Sequence, residues 1–74
     1  MQSMIYSVGN WRAEALLEEL ETGKLMAVIS LMDEKGGTST RSRHTVVFEH
    51  EEGQDKRKET EAVVRRLLQQ RYGL

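Results

Sequence analysis

The chain has 74 residues, a net charge of −1 and no cysteine, so it is long enough for one domain and excludes disulfides and thiolate metal sites. Its near-neutral charge gives no general attraction to nucleic acid or to anionic lipid. No segment approaches the run of about 20 apolar residues that spans a bilayer, and residues 1–6 lack the pattern of a signal peptide. We therefore expect a single domain over residues 1–74 that is cytoplasmic, does not contact a membrane and uses no cofactor.

A domain of this size has a small core. A chain this short buries only about 60% of the surface that its unfolded form exposes. Without cysteine, it also lacks the disulfides and thiolate-bound metals that support many small cores. Self-association is the remaining common source of buried area. The composition therefore predicts a homo-oligomer, most simply a two-fold dimer.

The segment 11–20 fits two different elements. Its residues are mainly strong helix formers with no β-branched side chain. The spacing of one helical face is found at Ala13, Leu16, Leu17 and Leu20. In a strand, the alternate residues Trp11, Ala13, Ala15 and Leu17 would share a face, and residues 21–24 would form a hairpin turn with Gly23 in the left-handed conformation. We prefer the strand and keep the helix as its alternative.

Residues 25–32 form the only long apolar run of the sequence. Alternate side chains of a strand point to opposite faces of the sheet. One face then carries Leu25, Ala27, Ile29 and Leu31, and the other carries Met26, Val28, Ser30 and Met32. A sheet with one solvated face would alternate between apolar and polar residues here, so the pattern predicts that both faces are covered. If residues 11–20 are a strand, a second copy of the chain is the expected cover, with Met26, Val28 and Met32 as the interface.

The second half of the chain predicts a hairpin and a helix. Residues 33–42 combine Gly36 and Gly37 with small polar residues and predict a connection with a mobile tip. Residues 44–50 are rich in β-branched residues and predict a strand. Residues 56–72 predict a helix, with Asp55 or Thr60 as its N-cap and Gly73 beyond its C-terminus. The predicted core consists of Leu25, Ala27, Ile29, Leu31, Val46, Phe48, Val64, Leu67 and Leu68.

Together, these elements predict an α+β fold. It is a small antiparallel β-meander packed against a C-terminal amphipathic helix, in the order β-β-β-α. The helical interpretation of residues 11–20 gives the alternative order α-β-β-α.

The order of elements also carries a resemblance. Tyr6, Trp11 and the run Thr22-Gly23-Lys24 precede an apolar strand, a further strand and a terminal amphipathic helix. Over roughly residues 6–73, this order resembles short bacterial proteins of β-β-β-α build for which no activity is known. The resemblance implies an antiparallel meander of three strands packed on one helix, and it implies no site residues.

The sequence contains no complete catalytic or ligand-binding signature. The densest potential metal ligands lie between His44 and Asp55, but His44 and His50 would stand about 20 Å apart on one strand, so we expect no metal site. Ser42 and His44 share a face of the predicted strand and are close enough to touch, yet no acidic residue is placed to orient the histidine. We therefore expect no enzymatic activity and no small-molecule ligand.

Two groups of basic residues carry an alternative function. Arg41 and Arg43 stand near the start of the last strand, and Lys56, Arg57 and Lys58 at the start of the helix. If the fold aligned both groups in one stripe, they would contact the phosphates of nucleic acid. Nearby acidic residues, and the lack of two stacking aromatics on one strand, oppose this interpretation. Our first hypothesis is a non-enzymatic binding or structural protein that self-associates through its sheet, and weak nucleic-acid binding is the alternative.

Overall fold

A computed structural model describes residues 2–33 and 41–73. Its elements, in chain order, are β1 (Gln2–Val8), β2 (Trp11–Glu19), β3 (Lys24–Asp33), β4 (Arg41–Glu49) and α1 (Lys56–Tyr72). The strands form one four-stranded sheet in the order β1-β2-β3-β4, and every neighbouring pair is antiparallel. The α+β class, the antiparallel meander and the C-terminal helix predicted from the sequence are confirmed. The predicted mobile tip of the hairpin falls on residues 34–40, which lie outside the described residues.

Strand β1 is the element that the sequence prediction lacked, so the predicted order β-β-β-α is one strand short. It pairs with β2 over its whole length, from Gln2 opposite Leu17 to Val8 opposite Trp11. The two strands are joined by the two-residue turn Gly9-Asn10, in which Gly9 has a φ of 59°. A glycine with positive φ at the first position of a two-residue turn is typical of a type II′ hairpin, whose twist matches that of the flanking strands.

Residues 11–19 form a strand, and the alternative order α-β-β-α is wrong. Strand β2 lies between β1 and β3, so both of its edges are hydrogen-bonded and the tertiary context overrides the helix propensity of its residues. The following turn closes as the strand interpretation predicts. Gly23 has a φ of 86°, and its N–H donates to the carbonyl oxygen of Leu20 at 3.0 Å.

Helix α1 begins and ends at the predicted residues, and its two ends are capped. The Asp55 carboxylate accepts a hydrogen bond from the backbone N–H of Arg57 at 2.8 Å, so Asp55 rather than Thr60 is the N-cap. The Thr60 side chain is buried instead, and its hydroxyl donates to the carbonyl oxygen of Lys56 at 2.8 Å. At the other end, Gly73 adopts the left-handed conformation, and its N–H donates to Gln69.

The core lies between α1 and one face of the sheet, which we call the covered face. Of the predicted core, six residues are buried, namely Leu25, Ala27, Ile29, Leu31, Val64 and Leu68. The other three, Val46, Phe48 and Leu67, are partly buried and pack against it. The sequence prediction missed the buried residues Met4, Tyr6, Ala13, Ala15, Leu17 and Val63. The alanines of β2 and β3 on this face, Ala13, Ala15 and Ala27, are fully buried.

Aromatic side chains attach both ends of α1 to the sheet. Near its start, the Tyr6 hydroxyl donates to the carbonyl oxygen of Arg57 at 2.8 Å, and the Arg57 guanidinium lies 5.7 Å from the centre of the Tyr6 ring. Burial raises the pKa of the Tyr6 phenol, which keeps the donating proton in place. At the other end, the rings of Trp11 and Tyr72 stack with their centres 4.3 Å apart. The helix is thereby fixed over the covered face along its whole length.

Candidate interaction surface on the open face of the sheet

The face of the sheet that points away from α1 is the candidate functional surface, and we call it the open face. Because alternate residues of a strand point to opposite faces, the burial pattern along each strand separates the two faces. No described element lies on the open face. It is formed by Ser3, Ile5 and Ser7 of β1, Arg12, Glu14, Leu16 and Glu18 of β2, Lys24, Met26, Val28, Ser30 and Met32 of β3, and Arg43, Thr45, Val47 and Glu49 of β4.

The middle of the open face is apolar. Its side chains, which we call the apolar centre, are Ile5, Leu16, Met26, Val28 and Val47. Leu16 lies directly opposite Val28 in the pairing of β2 with β3, and Met26 lies opposite Val47 in the pairing of β3 with β4. Exposure of these side chains reaches 49% at Ile5, 43% at Leu16 and 52% at Val47. Adjacent exposed apolar side chains on several strands are typical of a surface that binds another protein.

Charged residues flank the apolar centre at the two ends of the strands. Arg12 and Arg43 lie at one end, which we call the basic end, and Glu18 and Glu49 lie at the other, the acidic end. At the basic end, an Arg12 guanidinium nitrogen lies 3.5 Å from the carboxylate of Glu14. The open face therefore has an apolar middle between ends of opposite charge, an arrangement typical of a contact with an apolar core and a polar rim.

A cavity of about 360 Å³ opens at the basic end, and its charged lining residues are Arg12, Arg43 and the acidic Glu14. The Nε atom of Arg12 is buried and has no hydrogen-bond partner within residues 2–33 and 41–73. A buried donor without a partner is costly, and a guanidinium binds carboxylates strongly. Two arginines against the one carboxylate of Glu14 leave the cavity with an excess of positive charge.

The structure places all of the predicted interface residues on the open face. Val28 and Met26 lie in the apolar centre, and Met32 lines the cavity at the basic end. The prediction did not include Leu16 and Val47, which are more exposed. In the sequence, only the alternation of residues along strands 11–19 and 41–49 pointed to Leu16 and Val47. Their position beside Val28 and Met26 follows from the register of the strands.

The basic residues of the nucleic-acid alternative lie on two sides of the sheet. Arg43 projects from the open face, and Arg41 is the first residue of the same strand. Lys56, Arg57 and Lys58 begin α1, which packs on the covered face. Lys56 and Arg57 also engage acidic and aromatic side chains of the sheet. The structure does not bring the two groups onto one surface, and nucleic-acid binding stays a prediction.

Ser42 and His44 touch, as their spacing predicted, and they join a third group. Ser42 Oγ lies 3.0 Å from His44 Nε2 and 3.2 Å from the Tyr72 hydroxyl. Burial lowers the pKa of His44, and the positive charge of Arg71 lowers it further, so the ring is neutral at pH 7. The charge that acts on this histidine is therefore the Arg71 cation, whereas a carboxylate orients the histidine of a serine hydrolase. We assign the cluster to attachment of the end of α1 to β4.

The acidic segment before the helix forms hydrogen bonds within the chain. The Glu59 carboxylate accepts from the backbone N–H of Glu51 at 3.0 Å and forms a hydrogen bond with His50 Nδ1. These two hydrogen bonds, first that of Glu51, lower the pKa of Glu59. Within the described part of the chain, no group of three or more potential ligands is arranged to hold a metal ion. His50 and Glu59 therefore connect the end of β4 to the first turns of α1.

Comparison with known proteins adds no relative from which a function can be transferred. No family model, no curated protein and no solved structure matches the chain. The resemblance to short bacterial proteins of β-β-β-α build stays a prediction. Among the described residues, no helix has the length and apolar character needed to cross a membrane.

Proposed function

We propose that this is a non-enzymatic, cytoplasmic protein that acts by protein interaction, and that its open face is the interface between two copies of the chain. The observation that carries this proposal is the apolar centre. Leu16 and Val28 are neighbours across two strands, and the exposed Val47 and Ile5 extend the same surface to both edge strands. Complete burial of a large apolar side chain contributes about 1.5–3 kcal/mol, and these half-exposed side chains can gain roughly half of that in an interface.

The properties of the open face favour a second copy as its occupant. A copy supplies an apolar centre of the same size, and it also supplies charges of both signs, so that each charged end can meet an opposite charge. Two sheets pack face to face at a spacing of about 10 Å when apolar side chains interdigitate between them. A homodimer of this kind also enlarges the core of a chain that has no disulfide.

The size of the open face sets the strength that we expect. Four strands about 4.8 Å apart, each contributing about seven residues, give a projected area of about 450 Å² per copy. Two copies together would contribute about 900 Å², which is below the range of specific, stable interfaces and is typical of weak, transient contacts. We therefore expect reversible dimers with a dissociation constant on the order of micromolar.

Sedimentation equilibrium of the wild-type chain and of two variants tests the proposal. Val28→Glu places a carboxylate in the apolar centre, where the dimer would bury it without a partner, and we expect the dissociation constant to rise by about 100-fold or more. Val47→Glu introduces the same charge at an exposed edge position that tolerates it in the monomer. Gln70→Glu, on the exposed side of α1, is the matched control and leaves the dimer unchanged.

The fold of each variant is checked by circular dichroism before its mass is measured. A wild-type chain that sediments as a monomer at millimolar concentration would contradict the proposal. So would folded Val28→Glu and Val47→Glu variants that dimerise as the wild type does, because the interface would then lie elsewhere on the molecule.

A further inference from the structure

The charges of the open face have a regular order along the strands. On β2, Arg12 precedes Glu18, and on β4, Arg43 precedes Glu49. Because β2 and β4 both run antiparallel to β3, the two arginines lie at the same end of the sheet and the two glutamates at the other. Six residues of extended strand separate each arginine from its glutamate by about 20 Å. The open face is therefore polarised along the strand direction.

The two ends also differ in shape. The basic end contains the cavity between Arg12 and Arg43, and the buried Nε of Arg12 has no partner there among the described residues. The acidic end presents the exposed side chains of Glu18 and Glu49. Each end also carries one residue of the opposite sign. At the basic end, Glu14 pairs with Arg12, and at the acidic end, Lys24 lies opposite Glu49. The Arg12 side chain is still 40% exposed, so a carboxylate from a second copy can reach the exposed part of its guanidinium.

We infer that two copies pack with their strand directions reversed, so that the acidic end of each copy binds at the basic end of the other. This inference rests on the proposed function. The two-fold axis lies in the interface and runs across the strands near Leu16 and Val28, which places these two residues close to the same residues of the second copy. Glu18 of the second copy then approaches Arg12, and Glu49 of the second copy approaches Arg43.

The opposite arrangement is disfavoured by the same charges. A two-fold axis along the strands would place the basic end of each copy over the basic end of the other, and the acidic ends over each other. Like charges that face each other across an interface lower affinity and select against that orientation. Because of the two-fold symmetry, each favourable pair occurs twice in the reversed arrangement. The polarity of the open face thus selects one orientation of a surface whose apolar centre would tolerate either.

A charge-reversal series measured by sedimentation equilibrium at low salt tests the orientation. Arg43 and Glu49 are both exposed, so their substitution spares the core. We expect Arg43→Glu alone, and Glu49→Arg alone, to weaken dimerisation by about tenfold. The double variant Arg43→Glu/Glu49→Arg restores both opposite-charge pairs across the axis, and its dissociation constant returns to within about threefold of the wild-type value. Lys58→Glu on α1 is the control for a change in net charge.

The possible outcomes separate the orientation from the proposed function. Rescue in the double variant, together with wild-type affinity that falls as salt rises, is the result that we expect. If the wild type dimerises and Val28→Glu breaks the dimer, but the double variant stays as weak as the single ones, the face is correct and the reversed orientation is wrong. A wild-type monomer would contradict both.

Discussion

The two faces of this sheet are built from the same strands and have different compositions. On the covered face, Leu25, Ile29 and Leu31 are at most 1% exposed, and apolar side chains continue onto every strand. On the open face, apolar side chains are concentrated in the middle, with Met32 as an exception at the basic end, and the charged residues lie toward the ends. Leu16 is 43% exposed, although its neighbour Leu17 on the same strand is 4% exposed.

The difference in composition reflects what lies over each face: helix α1 always covers one face, whereas a second copy would cover the other only part of the time. Helix α1 is part of the chain, so the covered face can carry apolar side chains on all four strands without exposing them in solution. A surface that must also exist without its partner keeps charges at its ends, which preserve solubility and define orientation. The open face therefore has the composition of an interface between separable subunits and not that of a domain core.

The largest expected effect is a loss of stability when a leucine is removed from the core, compared with removal of a leucine from the open face. Leu68→Ala removes a fully buried side chain of α1 and should lower the free energy of unfolding by about 2–5 kcal/mol, a large share of the stability of a domain this small. Leu16→Ala removes the same atoms from the open face and should cost less than about 1 kcal/mol in dilute solution. Thermal melting at low protein concentration measures both. Equal losses would mean that the open face is covered within the monomer.

The next effect concerns the attachment of α1 to the covered face. Tyr72→Ala removes the stack on Trp11 and the contact with Ser42, and we expect a loss of about 1–2 kcal/mol. Tyr72→Phe keeps the stack and should retain most of the stability. Urea unfolding followed by the fluorescence of Trp11, the only tryptophan, measures the difference. If Tyr72→Phe were as unstable as Tyr72→Ala, the hydroxyl and not the ring would attach the helix.

A smaller effect tests the start of the same helix. Asp55→Ala leaves the backbone N–H of Arg57 without its capping carboxylate, and the expected loss is about 1 kcal/mol. Asp55→Asn retains a capping oxygen and is the matched control, since it should recover most of the loss. Neither variant alters the open face, so sedimentation equilibrium should give both of them the wild-type dissociation constant. A changed dissociation constant would show that α1 takes part in the interface.

The smallest effect is a pH dependence of the free energy of unfolding, which we expect from His44 on the covered face of β4. Because burial lowers the pKa of His44 below 6.5, the folded chain keeps this ring neutral while the unfolded chain protonates it. The unfolded state then binds more protons, so the free energy of unfolding falls as pH decreases through about 6.5 and levels off below the folded pKa. His44→Gln should flatten this decrease in urea melts between pH 7.5 and 5.5.

His50 and Glu59 do not obscure the comparison of His44→Gln with the wild type. His50 is present in both proteins, so the difference between their pH profiles reports His44 alone. The lowered pKa of Glu59 acts at more acidic pH, because its stabilising effect is present above about 4.5 and is lost as pH falls through the folded value. If His44→Gln had the same slope as the wild type, His44 would not be held neutral by the fold.

The sequence predicted the elements whose signal is local. Helix α1 has an apolar stripe, a capping aspartate at Asp55 and a terminal glycine at Gly73, and each of these acts within a few residues. The hairpin turn at Gly23 and the face of β4 that carries Phe48 were predictable for the same reason. The strand at residues 24–33 was evident from its continuous apolar run.

Features that depend on distant pairing were not predictable. Residues 11–19 have helix propensity, and only their position between two strands makes them extended. Residues 2–8 have too few β-branched side chains to stand out as a strand. Without β1 and the register, the sequence could place Val28 on the face away from the core but could not place Leu16 beside it or Ile5 on the same face. The stack of Trp11 on Tyr72 likewise joins the beginning and the end of the fold.

The central claim is that the open face, and not α1 or a sheet edge, meets the second copy. Methyl NMR spectra of the wild-type chain, recorded from about 10 μM to about 1 mM across the expected dissociation range, test it most directly. We predict that the methyl signals of Leu16, Val28 and Val47 shift with concentration, whereas those of Val63 and Leu68 in the core do not. Shifts confined to α1, or no shifts over this range, would contradict the account.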